Sequence, residues 1–307
     1  MFFCRVVRLS ITASVLATLL AAIACDDGQA DSDKVQVVTT LPLFADVIEN
    51  VGGDRVDVAA LLPSGADPHT WEPSPQDAKK VADADIVFVN GLALEPTALS
   101  IVEANIGEDV AVVAFAENVE PVFQHAGNDH LVDPHLWMDP DNAKAYAGVI
   151  RDRLMEVDSE GADSYAANLE VYAAEIDAEG EYLEAAADRV PDERRKLITT
   201  HDAFGYLAGH MGFEIEAFVA AGPGSEASPD DIAAIVSAVE EQDIPAVFTE
   251  PQVDSESETL AQIAQDTGAR VCTLYSDALD DEVTSYIEMM RFNADEIARC
   301  LGGGDGG

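Results

Sequence analysis

Short apolar runs alternate with segments of helical spacing through the first half of the chain. The apolar runs have the length of strands and lie at 35–40, 56–62, 86–90 and 111–114. Between them, apolar residues recur at helical intervals in segments at 44–51, 76–82 and 97–104. Strands that alternate with helices predict a parallel sheet with right-handed crossover connections.

The same alternation returns in the second half of the chain. Strand-like runs lie at 196–200, 214–218, 246–249 and 270–274, with helical segments among them at 228–241 and 255–267. An ordered chain of about 270 residues is too long for one ordinary hydrophobic core. The sequence therefore predicts two parallel-sheet α/β lobes.

A long segment without proline separates the two predicted lobes. Residues 159–189 place Leu169, Tyr172, Ile176 and Leu183 at roughly helical intervals. One helix of about 30 residues spans roughly 45 Å, which is enough to run along both lobes. The predicted fold is thus two α/β lobes joined by a single long helix, with small lobe movements and a site in the cleft. The expected boundaries are 35–158 for the first lobe, 159–190 for the helix and 191–302 for the second lobe.

The first 25 residues have the pattern of a secretory signal. Arg5 and Arg8 form a short positive region, residues 9–24 are apolar or small, and Cys25 follows. The small residues before Cys25 resemble a bacterial lipobox, although Ala22 stands where leucine is usual. A lipidated Cys25 and a plain cleaved signal are the two alternatives. We expect an exported protein, periplasmic or on the outer face of the cytoplasmic membrane, with a polar tether at 26–34, a tail at 303–307 and no membrane contact except a lipid anchor.

The charge of the chain limits the class of its partners. With 59 acidic residues against 16 basic ones, the formal net charge is −43. Such a chain cannot neutralise phosphates, which excludes nucleic acid as a natural partner. Because 48% of the residues are hydrophobic, the charge indicates an acidic surface on a normal core and not a disordered chain.

Two of the four cysteines lie in the globular part of the chain. Cys4 and Cys25 belong to the predicted signal, which leaves Cys272 on a late strand and Cys300 on the last helix. In an exported protein two such cysteines can pair as a disulfide. Two separately buried thiols are the alternative.

The sequence Asp-Pro-His occurs twice, and a tryptophan follows two residues after each histidine. The copies are at 67–71 and 133–137 and contain His69 and His135. Proline fixes its own φ and pushes the preceding residue to an extended conformation, so each histidine follows a stiff turn. Stiff presentation of an imidazole suits a metal ligand.

Three further polar residues follow strands of the second predicted sheet. His201 comes directly after the strand 196–200, Glu250 ends the strand at 246–249, and Asp277 follows the strand that ends near residue 274. Parallel sheets place binding groups beyond the carboxyl ends of their strands. Three imidazoles and one carboxylate suit zinc or another divalent first-row metal. By spacing alone Asp277 could equally cap the next turn, and Glu250 could be a ligand or an acceptor behind one.

Taken together, these motifs resemble the solute-binding proteins of ABC importers for zinc and manganese, a family of two-lobed metal-binding lipoproteins. The resemblance covers nearly the whole mature chain. It is carried by Asp-Pro-His-Thr-Trp-Glu-Pro-Ser-Pro at 67–75, Asp-Pro-His-Leu-Trp-Met-Asp-Pro at 133–140, His-Asp-Ala-Phe-Gly-Tyr at 201–206, Thr-Glu-Pro-Gln at 249–252 and Tyr-Ser-Asp at 275–277. It implies that the metal ligands are His69, His135, His201 and Asp277.

The resemblance also implies a function and partners. The protein is expected to bind Zn²⁺ or Mn²⁺ as transported cargo, to act as a monomer, and to deliver the ion to a permease with an attached ATPase. His125 and His130 lie where many zinc-importing members carry a histidine-rich loop, and they either gather metal weakly or belong to an ordinary exposed loop. Four protein ligands fill a metal shell, which argues against an enzyme. The alternatives are a secreted zinc hydrolase with Glu250 or Asp202 as general base, and an adhesin or metal-storage protein of the same fold.

Overall fold

A computed structural model describes residues 34–119, 132–220 and 227–302. The predicted signal with Cys25, nearly all of the tether and the tail at 303–307 lie outside these residues. His125 and His130 lie outside them as well. The expectations for these segments therefore stay predictions.

The first lobe is built on a four-stranded parallel sheet of order β2-β1-β3-β4. Its strands are β1 (Val35–Thr39), β2 (Val56–Ala60), β3 (Ile86–Val89) and β4 (Ala111–Ala114). The crossover helices are α1 (Pro42–Gly52), α2 (Pro75–Ala82) and α3 (Pro96–Asn105). Each helix begins at a proline, whose fixed φ and missing N–H suit the first helical position.

Two helices follow the first sheet, α4 (Pro140–Val157) and α5 (Ala162–Ala187). One 3₁₀ turn, Ser159–Gly161, leads into α5, so the predicted long helix is confirmed, with 26 α-helical residues over about 39 Å. Asp158 joins the start of α5 to the first lobe, because its carboxylate accepts from Arg55 at 2.6 Å and from the Tyr165 hydroxyl at 2.7 Å. Further along α5, the buried Glu179 accepts from Arg291 at 2.5 Å.

The second lobe repeats the strand order of the first. Its sheet has the order β6-β5-β7-β8, with all pairs parallel. The strands are β5 (Lys196–His201), β6 (Glu214–Ala220), β7 (Ala246–Thr249) and β8 (Arg270–Thr273). The helices are α6 (Gly205–Met211), α7 (Pro229–Glu241), α8 (Asp254–Thr267) and α9 (Tyr286–Leu301). The predicted class of two parallel-sheet α/β lobes is confirmed.

One hydrophobic core runs through both lobes. It includes Phe44 of α1, Ile176 of α5 and Met290 of α9, all nearly inaccessible to solvent. Two smaller apolar clusters pack around Val81 in the first lobe and Val239 in the second. The lobes are therefore joined by a shared core as well as by α5.

A disulfide joins β8 to α9 in the second lobe. It connects Cys272 to Cys300, whose Cα atoms are 6.7 Å apart. Of the two alternatives for these cysteines, the structure has the paired one. In the described ranges, no helix is long and apolar enough to cross a membrane.

Truncation of a side chain on the buried face of α5 tests the shared core. We expect Ile176→Ala to lower the free energy of unfolding by about 2–5 kcal/mol, because it leaves a cavity in a fully buried position. Val171 lies on the same helix with 62% of its surface exposed, so Val171→Ala should change stability by no more than about 0.5 kcal/mol. Urea unfolding followed by circular dichroism measures both. Equal shifts for the two variants would contradict the shared core.

Candidate metal centre

Four side chains from the two lobes converge beyond the carboxyl ends of the strands. His69 lies in the β2–α2 loop, the 3₁₀ turn Leu136–Met138 follows His135, His201 ends β5, and Asp277 lies between β8 and α9. One ligand atom from each of these residues lies within 4.8 Å of the others. The structure thus brings together the four residues that the sequence predicted as ligands.

The distances between the converging atoms are those of neighbours around one small ion. The Nε2 atoms of His69 and His135 are 3.3 Å apart. Asp277 Oδ1 lies 3.4 Å from His135 Nε2, and its Oδ2 lies 3.4 Å from His201 Nε2. Tetrahedral zinc with bonds of about 2.0–2.1 Å separates its ligand atoms by about 3.3–3.4 Å. These three distances match that spacing, while His69 Nε2 is 3.9 Å from Asp277 Oδ2, so a small approach of His69 lets the four side chains hold such an ion.

Several of the converging atoms are buried without a hydrogen-bond partner. Within the described residues, this holds for His201 Nε2 and for both carboxylate oxygens of Asp277. Buried polar atoms in folded proteins are nearly always paired, so unpaired ones indicate a binding site for a water molecule or an ion. Their convergence on one point indicates a cation site.

Asp133 orients the imidazole of His135. One of its oxygens, Oδ1, accepts from the backbone N–H of His135 at 3.0 Å and from ring atom Nδ1 at 2.7 Å. Because a carboxylate only accepts, the proton of the neutral ring lies on Nδ1, and Nε2 then directs its lone pair towards the centre. A carboxylate behind a histidine ligand fixes the tautomer and raises the basicity of the ring.

Glu250 does the same for His201. Its Oε1 lies 2.9 Å from His201 Nδ1, on the side of the ring opposite Nε2. The hydroxyl groups of Thr200 and Ser276 also donate to this carboxylate. Of the two roles that the sequence left open for Glu250, the structure places it behind a histidine and outside the group of converging atoms.

The first Asp-Pro-His copy is built differently from the second. Asp67 accepts from the backbone N–H of His69 at 2.9 Å and from the Thr70 hydroxyl at 2.7 Å, which shapes the turn. Asp67 therefore makes no hydrogen bond with the ring of His69, whereas Asp133 accepts hydrogen bonds from both the backbone and the ring of His135. The His69 side chain is 18% exposed, against 1% for His135 and His201. His69 therefore lies at the mouth of the site.

The carboxylate and the imidazoles shift one another's pKa values. Burial alone would raise the pKa of Asp277, but His135 and His201 hold it below its ordinary range. Burial alone would lower the pKa of each of these two imidazoles, but neighbouring carboxylates outweigh burial. For His135 these are Asp277 and Asp133, and for His201 they are Glu250 and Asp277. Both pKa values are raised, that of His201 strongly. For His69 burial prevails and lowers the pKa to about 3.

Asn90 supports the site from the position directly after β3, where the sequence pattern predicts only the end of a strand. It is fully buried, its Nδ2 donates to the carbonyl of Pro134 at 2.8 Å, and its Oδ1 accepts from the Tyr146 hydroxyl at 2.8 Å. These bonds hold the turn that carries His135. A polar residue at the carboxyl end of an otherwise apolar strand was the available signal.

The family of the chain is shown by its sequence. The profile of a family described as zinc-uptake complex component A, periplasmic, or ZnuA, matches residues 37–300. The chain belongs to this family. The match spans both lobes and includes all four converging residues, so the ZnuA family assignment covers the fold and the site together.

Individual relatives of the ZnuA family match over nearly their whole length. The manganese-binding lipoprotein MntA of Halalkalibacterium halodurans is 32% identical over 293 residues, 94% of this chain and 96% of that protein. The manganese ABC transporter substrate-binding lipoprotein PsaA of Streptococcus pneumoniae is 28% identical over 305 residues, 95% of this chain and 98% of that protein. The periplasmic zinc-binding protein TroA of Treponema pallidum superposes with a TM-score of 0.80 at 28% identity, covering 87% of this chain and 99% of that one.

Replacing Glu250 tests its role behind His201. Glu250→Gln keeps an acceptor oxygen but removes the charge, so we expect zinc affinity to fall by about 10-fold or more, in the range for lost outer partners. Glu258, on the exposed face of α8, offers a matched Glu258→Gln control with affinity near that of the wild type. Competition with a chromophoric chelator measures both. Unchanged affinity in Glu250→Gln would contradict this role.

Proposed function

We propose that this protein captures a divalent first-row metal ion, Zn²⁺ or Mn²⁺, outside the cytoplasm and delivers it to an ABC importer. The observation that carries the proposal is the convergence of four ligand side chains from both lobes, of which His201 Nε2 and both oxygens of Asp277 are buried and unpaired. Membership in the ZnuA family supports it. The names of MntA, PsaA and TroA, which refer to manganese or zinc, support it further.

Capture suits this site better than catalysis. A catalytic zinc keeps an open position for water, whereas three imidazoles and a carboxylate fill a four-coordinate shell. In the hydrolase alternative Glu250 would be the general base. Its carboxylate is hydrogen-bonded to His201 Nδ1, so it lies on the side of the ring that faces away from the converging atoms. No specific observation favours the hydrolase, or an adhesin or storage protein, over the importer component.

The choice between the two metals depends on how Asp277 binds. Its oxygens each face a different histidine, Oδ1 towards His135 and Oδ2 towards His201. Coordination through one oxygen gives the four ligand atoms that zinc prefers, and coordination through both oxygens raises the coordination number of the metal. At equal geometry the Irving–Williams order favours zinc over manganese, so use of manganese would require the higher coordination number.

The partners follow from the same proposal. A metal-binding component of an ABC importer works with a permease and an ATPase. The relatives MntA and PsaA are named as lipoproteins, which supports attachment to the membrane through Cys25. Lipidation of Cys25, a monomeric state, metal gathering by His125 and His130, and the lobe boundaries at 158 and 190 stay predictions.

Titration of the metal-free protein tests the ligand set. His201→Ala and Asp277→Ala should each weaken zinc binding by more than the roughly 10- to 100-fold that loss of an outer partner costs, because each removes a ligand. His210→Ala serves as control, since His210 lies on α6 outside the group of converging atoms. Competitive titration of Zn²⁺ and Mn²⁺ into all variants measures the effect. If neither ligand substitution weakened binding, the four-ligand site would be wrong.

The pH dependence of binding follows from the raised pKa values of His135 and His201. In the metal-free protein both imidazoles hold protons above the ordinary histidine pKa of about 6.5, and a metal binds only the neutral rings. The apparent Kd should therefore fall as pH rises from about 6 to about 8, with release of protons. Calorimetry in buffers of different ionisation enthalpy measures the proton count. A heat of binding that is independent of the buffer would contradict this expectation.

A further inference from the structure

Trp137 connects the two lobes directly beside the metal centre. It lies two residues after His135, and the centroids of the two rings are 5.5 Å apart. Its indole Nε1 donates to the backbone carbonyl of Ser276 at 2.9 Å. Because Ser276 precedes Asp277, this bond ties the loop of a first-lobe ligand to the loop of a second-lobe ligand.

The backbone of Trp137 is held from the second lobe as well. Its carbonyl accepts from the Tyr286 hydroxyl at 2.9 Å, at the first residue of α9. The backbone N–H of Tyr286 in turn donates to Asp46 of α1 at 2.9 Å. Burial raises the pKa of Tyr286 well above its ordinary value, so its hydroxyl stays a donor. Trp137 is thus fixed at its side chain and at its backbone.

Ser276 connects this contact to a third ligand. Its carbonyl accepts from Trp137, while its hydroxyl donates to Glu250, which holds His201 at Nδ1. Trp137, Ser276 and Tyr286 are all buried, with no more than 1% of their surface exposed. Hydrogen bonds in such surroundings are costly to leave unmade, and they fix the groups they join.

We propose that Trp137 is a positioning residue that, with Ser276 and Tyr286, fixes the spacing between His135 and Asp277 and so sets the coordination geometry offered to the metal. The inference rests on the proposed function. His135 Nε2 and Asp277 Oδ1 are 3.4 Å apart across the cleft. A change of this spacing alters whether the carboxylate binds through one oxygen or both, which is the difference between a zinc-like and a manganese-like shell.

The other tryptophan of the chain is a natural control. Trp71 follows His69 by two residues, as Trp137 follows His135, and these are the only tryptophans in the sequence. Across the part of the chain that the structure describes, the indole of Trp71 donates no hydrogen bond. Its backbone N–H donates to the carbonyl of Asp67 at 3.0 Å, and its carbonyl accepts from the Thr97 hydroxyl. Among the described residues, the same motif position thus carries a cross-lobe bond in one copy and not in the other.

Three single substitutions separate positioning from general packing. Trp137→Phe and Tyr286→Phe each keep an aromatic ring and remove one cross-lobe donor, and Trp71→Phe removes an indole N–H that makes no such bond. We expect the first two to weaken Zn²⁺ binding by about 10-fold or more, to change the Zn²⁺ to Mn²⁺ affinity ratio and to shift the visible absorption bands of bound Co²⁺. Trp71→Phe should keep the wild-type spectrum and an affinity within about threefold.

Competitive titrations and Co²⁺ spectra are measured on the whole protein, with circular dichroism of each metal-free variant to confirm folding. If Trp137→Phe fails to fold, Tyr286→Phe decides. Wild-type affinity and an unchanged Co²⁺ spectrum in both variants would overturn the positioning role, as would equal weakening in Trp71→Phe. In either case, loss of binding in His201→Ala would leave the proposed function standing. Failure of the wild-type protein to bind any of the three ions would instead overturn the proposed function.

Discussion

A carboxylate buried with both oxygens unpaired is costly unless positive charge lies beside it. Among the described residues Asp277 is in this position, with 1% of its surface exposed. His135 and His201 lie beside it, and the neighbouring carboxylates raise the pKa of both imidazoles despite their burial. A divalent cation bound at the same point would supply positive charge in place of protons on these rings. The proposed capture is therefore coupled to the release of protons around one buried carboxylate.

The fold brings this carboxylate and the imidazoles together by using one sheet arrangement twice. Both sheets have their first strand beside their second and third, and residues beyond the carboxyl ends of the strands meet between the lobes. Two supporting carboxylates then orient the imidazoles in the same way, because Asp133 is hydrogen-bonded to Nδ1 of His135 and Glu250 to Nδ1 of His201. The imidazole of His69 makes no such bond with Asp67, which bonds the backbone and Thr70 instead.

The strands and three of the four converging residues could be predicted because their signals are local. Apolar runs located every strand to within two residues, and Asp-Pro-His turns singled out His69 and His135. Asp277 depended on the family resemblance, since its spacing alone allowed a simple cap. The bond from Trp137 to Ser276 could not be predicted, because it joins residues 139 positions apart. Which oxygen of Glu250 faces which partner depends on packing between strands, and no local pattern encodes it.

Selection of the metal has to come from the buried centre and not from the acidic surface. A formal charge of −43 attracts every cation to the protein, but such a field is screened within about 10 Å at ordinary ionic strength and acts on charge alone. Zn²⁺ and Mn²⁺ have equal charge, so only short-range terms separate them, namely ligand type, number and spacing. Three imidazoles fix the type. In the proposed site the remaining variable is the coordination number, which would depend on how firmly the cleft holds Asp277 against His135.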